Sequence, residues 1–231
     1  GVNGHNATSS LSPIVIGVAG GTGSGKTTLA RAIEQRLGPD RCMTVSQDSY
    51  YRDLANLSFA QREKVNFDHP DSLDSSLMVQ QVQELRAGRS ITQPVYDFSQ
   101  HARRPLGRRA YPKPVILVEG ILVLVWPELA DLMSLSVYVD APEKVRLDRR
   151  VRRDVAQRGR DVQGVLDQYY ATVRPMHQAF VEPSATRASM IVNGEALLSK
   201  SVDSVLAKVD ATSLMAGKGD GHVNDSWIAN G

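Results

Sequence analysis

Eight residues near the N-terminus, from Gly20 to Thr27, match the pattern G-x-x-x-x-G-K-[ST]. A glycine-rich backbone can curl so that its N–H groups point at phosphate oxygens, and a following helix adds positive potential. In such a loop the lysine reaches the β- and γ-phosphates, and the final hydroxyl ligates Mg²⁺. The residues expected to contact the phosphates are Gly20, Gly21, Thr22, Gly23, Ser24, Gly25, Lys26, Thr27 and Thr28.

The flanking residues give this pattern its structural context. Residues 13–19 form a short apolar, β-branched stretch, which predicts a buried strand. Residues 28–37 place Leu29, Ile33 and Leu37 at helical spacing, with Gly38 as a natural end. Strand, glycine loop and helix in this order favour a phosphate-binding loop over a glycine-rich surface turn.

Strands and helices alternate along the rest of the chain. Strands are predicted at 41–46, 115–118, 135–139 and 190–192, and helices at 75–87, from Pro142 onward, at 162–173 with an end or kink near Pro175, and at 196–209. This alternation predicts an α/β fold, a three-layer sandwich of the P-loop NTPase type whose mostly parallel sheet has helices on both faces. We expect a single domain over residues 13–210, between a flexible arm (1–12) and a flexible tail (211–231).

Two carboxylates follow predicted strands. In a parallel sheet the carboxyl ends of the strands form the ligand-binding edge. Phosphoryl transfer needs a base for the attacking hydroxyl and a carboxylate to help hold Mg²⁺. Asp48 and Glu119 are placed for these two roles, although residue type alone also allows Asp48 to be a turn or capping aspartate.

A basic stretch follows the fourth predicted strand. Arg146, Arg150 and Arg153 share one helix face, and Gly159 ends the helix. Guanidinium groups suit phosphate oxygens, so we interpret residues of about 142–165 as a mobile arginine-rich lid. A solvated charged face is the alternative. Binding of nucleic acid is disfavoured by the net charge of +2 and by the lack of interleaved aromatic residues.

Bulk composition bounds the class of protein. The chain has 231 residues, with 42% hydrophobic and 23% charged, which is ordinary for a soluble globular domain. The single cysteine, Cys42, suits a reducing compartment and a buried structural role. The longest apolar run, residues 115–126, is too short to span a bilayer, and no charged-then-apolar leader precedes the first strand. A cytoplasmic enzyme without a membrane partner is expected.

Ordered motifs between residues 14 and 192 make the chain resemble the uridine kinase (uridine–cytidine kinase) family. They are the phosphate loop, residues 47–51, 66–72, 94–101 and 118–122, the arginines of 153–161, and residues 168–183. The resemblance implies transfer of phosphate from ATP, with Mg²⁺, to the 5′-hydroxyl of uridine or cytidine. It also implies, more weakly, a homotetramer.

The resemblance also implies roles for individual residues. Asp48 would be the base, and Lys26, Arg153 and Arg158 would assist the transfer; Thr27 and Glu119 would hold Mg²⁺. Asp68 and Arg150 would bind the ribose hydroxyls, with His101 at the pyrimidine edge. Further contacts to the substrate would come from Tyr51, Phe67, Tyr96, Phe98, Arg160 and Gln168. His69 and His177 lie in family motifs and are expected to be structural.

The chain departs from the family pattern after Ser189, where it reads Ala188-Ser189-Met190-Ile191-Val192-Asn193-Gly194-Glu195. We expect no catalytic role there. Two other functions remain open. A phosphoribulokinase-like enzyme would need a basic cluster for a sugar phosphate, whereas Tyr96 and Phe98 favour a flat base. A GTPase-type switch would show N-K-x-D, which the sequence lacks.

Overall fold

The computed structural model describes the backbone of residues 12–217 and the side chains of residues 12–210. The predicted flexible arm, apart from its last residue, and residues 218–231 of the predicted tail lie outside this range. Within it, no helix is both long enough and apolar enough to cross a membrane.

Five parallel strands form the central sheet, in the spatial order β2-β7-β1-β8-β9. Two antiparallel pairs, β3 with β6 and β4 with β5, form a separate excursion between the third helix and β7. The strands are β1 (Ile14–Gly20), β2 (Cys42–Ser46), β3 (Ile91–Gln93), β4 (Tyr96–Asp97), β5 (Ala102–Arg103), β6 (Arg108–Ala110), β7 (Val115–Glu119), β8 (Leu135–Asp140) and β9 (Met190–Asn193).

The helices occupy both faces of this sheet. They are α1 (Lys26–Leu37), α2 (Phe59–Glu63), α3 (Ser75–Arg86), α4 (Pro127–Ala130), α5 (Glu143–Arg158), α6 (Val162–Gln168), α7 (Arg174–Met176), α8 (Glu182–Ser184) and α9 (Leu198–Gly217). Short 3₁₀ turns lie at Gln47–Ser49, Pro70–Ser72 and Ala185–Arg187, and π-helical turns at Tyr169–Val173 and His177–Val181. The predicted α/β fold is confirmed.

Alternate residues of the central strands point into two cores. Val15 and Ile116 pack with α3 residues such as Met78, while Ile16 and Leu117 pack with α1 and α9 residues such as Ile33. Each face of the sheet is therefore buried, and the strands are apolar throughout, as in other sheets covered on both sides. The three-layer arrangement follows directly from this double burial.

Two predicted boundaries are wrong. The helix predicted at 162–173 does not end near Pro175 but continues as one helical tract from Val162 to Arg187, with π-helical turns on both sides of Pro175. Pro175 lies in the first turn of α7, directly after a π-helical turn. Because the regular α-helical hydrogen bonds are already interrupted there, the missing N–H of proline breaks none of them. The last helix begins at Leu198 and reaches Gly217, so it includes residues 211–217 of the predicted flexible tail.

The strand order has a switch point at the end of β1. The chain leaves β1 toward β2 on one side, whereas β8 lies on the other side of β1. Ligands in open α/β sheets bind at such a switch point, beyond the carboxyl ends of the strands. The segments that follow Gly20, Ser46 and Glu119 all begin at this edge because their strands are parallel.

We predict that the isoleucines of the central and edge strands differ sharply in their contribution to stability. Ile116 is fully buried and Ile191 is 56% exposed. Ile116→Ala should lower the free energy of unfolding by about 2–5 kcal/mol. The matched control, Ile191→Ala, should lower it by less than about 1 kcal/mol in the same urea denaturation. Equal losses would contradict the strand order.

Candidate active site

The phosphate loop has the backbone conformation that its glycines predict. Gly20, Gly23 and Gly25 have φ angles of 148°, 73° and 100°, and α1 begins at Lys26. A Cβ on Gly23 would lie 2.2 Å from the carbonyl oxygen of Arg146, so a side chain there cannot fit. The nearest atom to a Cβ on Gly25 is 3.6 Å away. The loop is therefore packed against α5 at Gly23 and has room at Gly25.

Lys26 is buried at the start of α1 and is 9% exposed. Burial lowers the pKa of its ammonium, whereas the negative charges of Glu119 and Asp48 act in the opposite direction. Both carboxylates are thus within electrostatic reach of Lys26. The three residues predicted to share the phosphate-transfer site are brought together.

Thr27 and Glu119 form the pair expected to hold Mg²⁺. The Thr27 hydroxyl donates a 2.6 Å hydrogen bond to Oε1 of Glu119, and Ser46 Oγ donates a 3.5 Å bond to Oε2. The described residues contain no cluster of three or more His, Cys, Asp or Glu that could hold a metal by itself. One hydroxyl and one carboxylate fit Mg²⁺, which usually takes its remaining ligands from substrate phosphates and water.

Asp48 lies in the 3₁₀ turn that follows β2. Its backbone N–H donates to Ser46 Oγ at 3.3 Å, so Ser46 and not Asp48 caps this turn. The Asp48 side chain is exposed at the edge of the sheet. Its carboxylate makes no hydrogen bond or ion pair with any residue in the described range, so it is available to a ligand.

Helix α5 turns a buried face toward the loop. Arg150 donates from Nη1 to Thr22 Oγ1 at 3.0 Å and from Nη2 to Gln168 Oε1 at 3.4 Å. Arg160 also donates to Gln168 Oε1. Burial lowers the pKa of Arg150, and the charges of Asp68 and Asp154 oppose that shift. The interpretation of this face as a solvated charged surface is therefore wrong, because Arg146 and Arg150 are buried.

Asp154 organises the arginines of this helix, and the sequence analysis gave it no role of its own. Its side chain is fully buried and lies 3.7 Å from Arg150, 3.1 Å from Arg153 and 3.6 Å from Arg158. The sequence could have indicated this role, because Asp154 is an acidic residue four positions from both Arg150 and Arg158 on one helix. The helix then ends at Gly159, whose φ is 63°.

Asp68 lies within electrostatic reach of Arg150 on α5 and of Asp48. Thr172 Oγ1 donates to its Oδ2 at 3.4 Å. Burial raises the pKa of Asp68, while the charge of Arg150 lowers it. Asp48 adds a repulsive charge that also raises this pKa. Asp68 and Arg150 are thus neighbours, as the resemblance implies.

The predicted aromatic residues form one cluster. The Tyr51 ring centroid is 5.5 Å from Phe67, 5.2 Å from Tyr96 and 6.2 Å from Phe98. His101 stacks on Phe67 at 5.1 Å, with an angle of 18° between the rings. The left-handed φ of 48° at His101 sets its position at the end of the β4–β5 turn.

Phe59 joins this cluster, and the sequence analysis missed it. Its ring lies 5.9 Å from His101, and the Arg62 guanidinium lies 5.8 Å from the Phe59 ring. The signal was present: Ser58 and Gln61 form a capping box that starts α2 and fixes the position of Phe59.

The segment that departs from the family pattern supports the phosphate loop. Arg149 donates to the carbonyl oxygens of Gly23 at 3.3 Å, Ser24 at 3.1 Å and Gly194 at 2.9 Å. A Cβ on Gly194 would lie 2.3 Å from the Ser24 carbonyl oxygen. The turn after β9 is therefore in direct contact with the loop, a contact that the sequence analysis did not predict.

His177 fills the space beside Gly21. A Cβ on Gly21 would lie 2.7 Å from His177 Cε1, and the His177 side chain is 10% exposed. Burial, and then the charge of Arg146, lowers the pKa of His177 to about 4. The Glu182 carboxylate lies 4.0 Å from Nε2 but is largely exposed. His177 is thus neutral at pH 7 and supports the loop structurally.

This depressed pKa predicts a pH-dependent loss of stability. The unfolded chain takes up a proton on His177 below about pH 6.5, whereas the folded chain does so only near pH 4. The free energy of unfolding should therefore fall as the pH drops through this window, by up to about 3 kcal/mol from this group. His177→Gln should lack that part of the slope in urea denaturation at pH 7.0 and 4.5. Parallel profiles for the two proteins would disprove it.

Comparison with known proteins adds the family to this geometry. Residues 15–197 match the model of the Phosphoribulokinase / Uridine kinase family. A uridine kinase from Chloroflexus aurantiacus is 47% identical over 199 residues, covering 86% of this chain and 95% of that protein. A uridine kinase from Ligilactobacillus salivarius is 42% identical over 197 residues, covering 85% and 92%.

Solved structures show the same fold at low sequence identity. D-glycerate 3-kinase from Cryptococcus neoformans aligns with a TM-score of 0.57 at 18% identity, over 80% of this chain and 87% of that one. Phosphoribulokinase from Rhodobacter spheroides aligns with a TM-score of 0.54 at 14% identity, over 80% and 73%. The predicted P-loop kinase architecture is confirmed. Because the family model spans most of the sequence and both uridine kinases align over nearly their whole length, the chain belongs to the phosphoribulokinase/uridine kinase family.

Proposed function

We propose that the protein transfers the γ-phosphoryl group of ATP to the 5′-hydroxyl of uridine or cytidine, giving ADP and the nucleoside 5′-monophosphate. The observation that carries the proposal is the meeting of two carboxylates at Lys26. Glu119 is bonded to Thr27, whereas the Asp48 carboxylate is exposed, and both charges act on the same ammonium. This difference supports the proposal that Glu119 helps to hold the metal and that Asp48 accepts the proton.

In the proposed reaction Asp48 accepts the proton of the 5′-hydroxyl as that oxygen attacks the γ-phosphorus. The bond between the γ-phosphorus and the β–γ bridging oxygen breaks, and ADP leaves. Lys26 and the amides of the phosphate loop hold the β- and γ-phosphates in line. Thr27 and Glu119 are the residues that would hold Mg²⁺, which supplies positive charge to those oxygens when bound.

The arginines of α5 are proposed to face the phosphates and the sugar. Arg153 and Arg158 would stabilise the charge that develops during transfer, as part of the mobile lid. Asp68 and Arg150 would bind the ribose hydroxyls, with Arg160 and Gln168 beside them. Two observations support these roles. Arg150 and Arg160 both donate to Gln168 Oε1, and Asp68 is electrostatically coupled to Arg150.

The aromatic cluster favours a nucleoside over a sugar phosphate. Tyr51, Phe67, Tyr96 and Phe98 offer ring faces for a flat base, which a sugar phosphate does not have. The phosphoribulokinase-like alternative is therefore disfavoured. An available Asp48 likewise favours catalysis over a binding-only switch.

The setting of the enzyme is a further part of the proposal. A cytoplasmic location agrees with the free, buried thiol of Cys42. A single catalytic domain over residues 13–210, a homotetramer and the absence of a nucleic-acid partner remain predictions from the sequence and its resemblance.

The proposed activity predicts the outcome of a direct assay. In a coupled assay with ATP and Mg²⁺, the protein should turn over uridine and leave ribulose 5-phosphate unused. Asp48→Asn should keep nucleoside binding but lower kcat by about 10²–10⁴-fold, since the base is lost. Asp40→Asn is the matched control: Asp40 lies in the exposed turn that precedes β2, so kcat should stay at the wild-type value. An Asp48→Asn enzyme within about tenfold of wild type would contradict the assignment of the base.

The chemistry of His101 predicts acceptance of both pyrimidines. A neutral imidazole can donate to O4 of uridine or accept from N4 of cytidine, depending on its tautomer. Both nucleosides should therefore be turned over, and His101→Phe should raise KM for both by about tenfold or more, since a polar partner is lost. The KM for ATP should stay unchanged. Turnover of only one nucleoside by the wild-type protein at every concentration tested would refute this role.

A further inference from the structure

Gln47 is a buried glutamine between the two functional strand ends. It directly precedes Asp48 and is 2% exposed. Its Oε1 accepts a 2.7 Å hydrogen bond from the backbone N–H of Leu122, which lies beyond the end of β7. Neither the phosphate loop nor the aromatic cluster uses this side chain, so its burial needs another explanation.

Gly120 leaves the space through which Gln47 crosses. A Cβ on Gly120 would lie 2.4 Å from both Cβ and Oε1 of Gln47. The regular pairing of β2 with β7 ends at Ser46 and Glu119. The bond from Leu122 to Gln47 therefore continues the connection between the two segments beyond the last paired residues.

This connection joins the residues that the proposed reaction needs at fixed separation. Asp48 follows Gln47 in the turn after β2, and Glu119 precedes Gly120 at the end of β7. A shift of about 1 Å in a catalytic group can lower a rate by about 10²-fold. The side chain of Gln47 reaches from the turn after β2 to the segment after β7 in a water-excluded position. There the Leu122 N–H would be costly to leave without a hydrogen-bond acceptor.

We infer that Gln47 is a positioning residue that holds the Asp48 turn against the Glu119–Gly120 end of β7. The inference rests on the proposed function, because it assigns Asp48 and Glu119 to one reaction centre. Gln47 itself touches neither the phosphates nor the nucleoside in this role. Its effect passes through the orientation of Asp48.

The test compares two substitutions of similar length. Gln47→Met removes the acceptor oxygen and should lower kcat for uridine by about 30-fold or more, while KM for ATP changes by less than about threefold, since the phosphate loop is untouched. Gln47→Glu keeps an acceptor oxygen at the same position, and burial beside Asp48 and Glu119 should raise the pKa of the new carboxyl and keep it protonated and neutral. This variant should therefore restore kcat to within about fivefold of wild type. A similar kcat for the two variants would overturn the inference.

A second buried glutamine separates positioning from general stability. Gln81 accepts from Tyr50 Oη at 2.6 Å and donates to the Thr92 carbonyl oxygen at 2.8 Å, and neither bond is made to Asp48, Glu119 or the β7 end. Gln81→Met should lower the melting temperature as Gln47→Met does, but leave kcat within about threefold. Equal kcat losses in both variants would show a structural effect only and would overturn the inference.

Amide hydrogen exchange supplies a readout that does not depend on activity. The Leu122 amide should lose about tenfold or more of its protection in Gln47→Met and keep it in Gln47→Glu. A wild-type protein without uridine turnover would refute the proposed function and the inference with it. A wild-type enzyme that is active, together with a Gln47→Met enzyme of normal kcat, would refute the inference alone.

Discussion

The phosphate loop keeps its shape because the beginning of α5 packs directly against it. The Arg146 carbonyl oxygen occupies the volume that a side chain on residue 23 would need, and Arg149 donates to two carbonyl oxygens of the loop. Arg150 adds a bond to Thr22. The phosphate loop and the arginine helix α5 thus form one packed unit.

The charges around this unit are balanced only in part. Asp154 is buried among three arginines, and the mutual repulsion of Arg150, Arg153 and Arg158 opposes their close approach. Burying such charges costs free energy unless partners compensate them. A bound triphosphate would bring negative charge to these arginines, so the site suits an anionic ligand better than a neutral molecule alone.

Features set by local sequence were predictable, whereas those set by distant contacts were not. The glycine spacing and apolar strands located the phosphate loop, the parallel sheet and the polar strand ends. The strands of the β3–β6 excursion are two or three residues long, too short for any periodic signal. The bond of Gln47 to Leu122 and the contact of Gly194 with the loop join residues far apart in sequence, so nothing near either residue indicates its partner.

The π-helical turn at Tyr169–Val173 changes which side chains can face the site. In a regular α-helix, Gln168 and His177 would be about two and a half turns apart and would point to opposite sides. The wider π-helical turn reduces the angle about the helix axis between these two side chains. Gln168 contacts Arg150, and His177 packs beside Gly21. The π-helical turn therefore sets the relative orientation of Gln168 and His177. A single insertion or deletion in this turn would therefore rotate one of these two side chains away from the site.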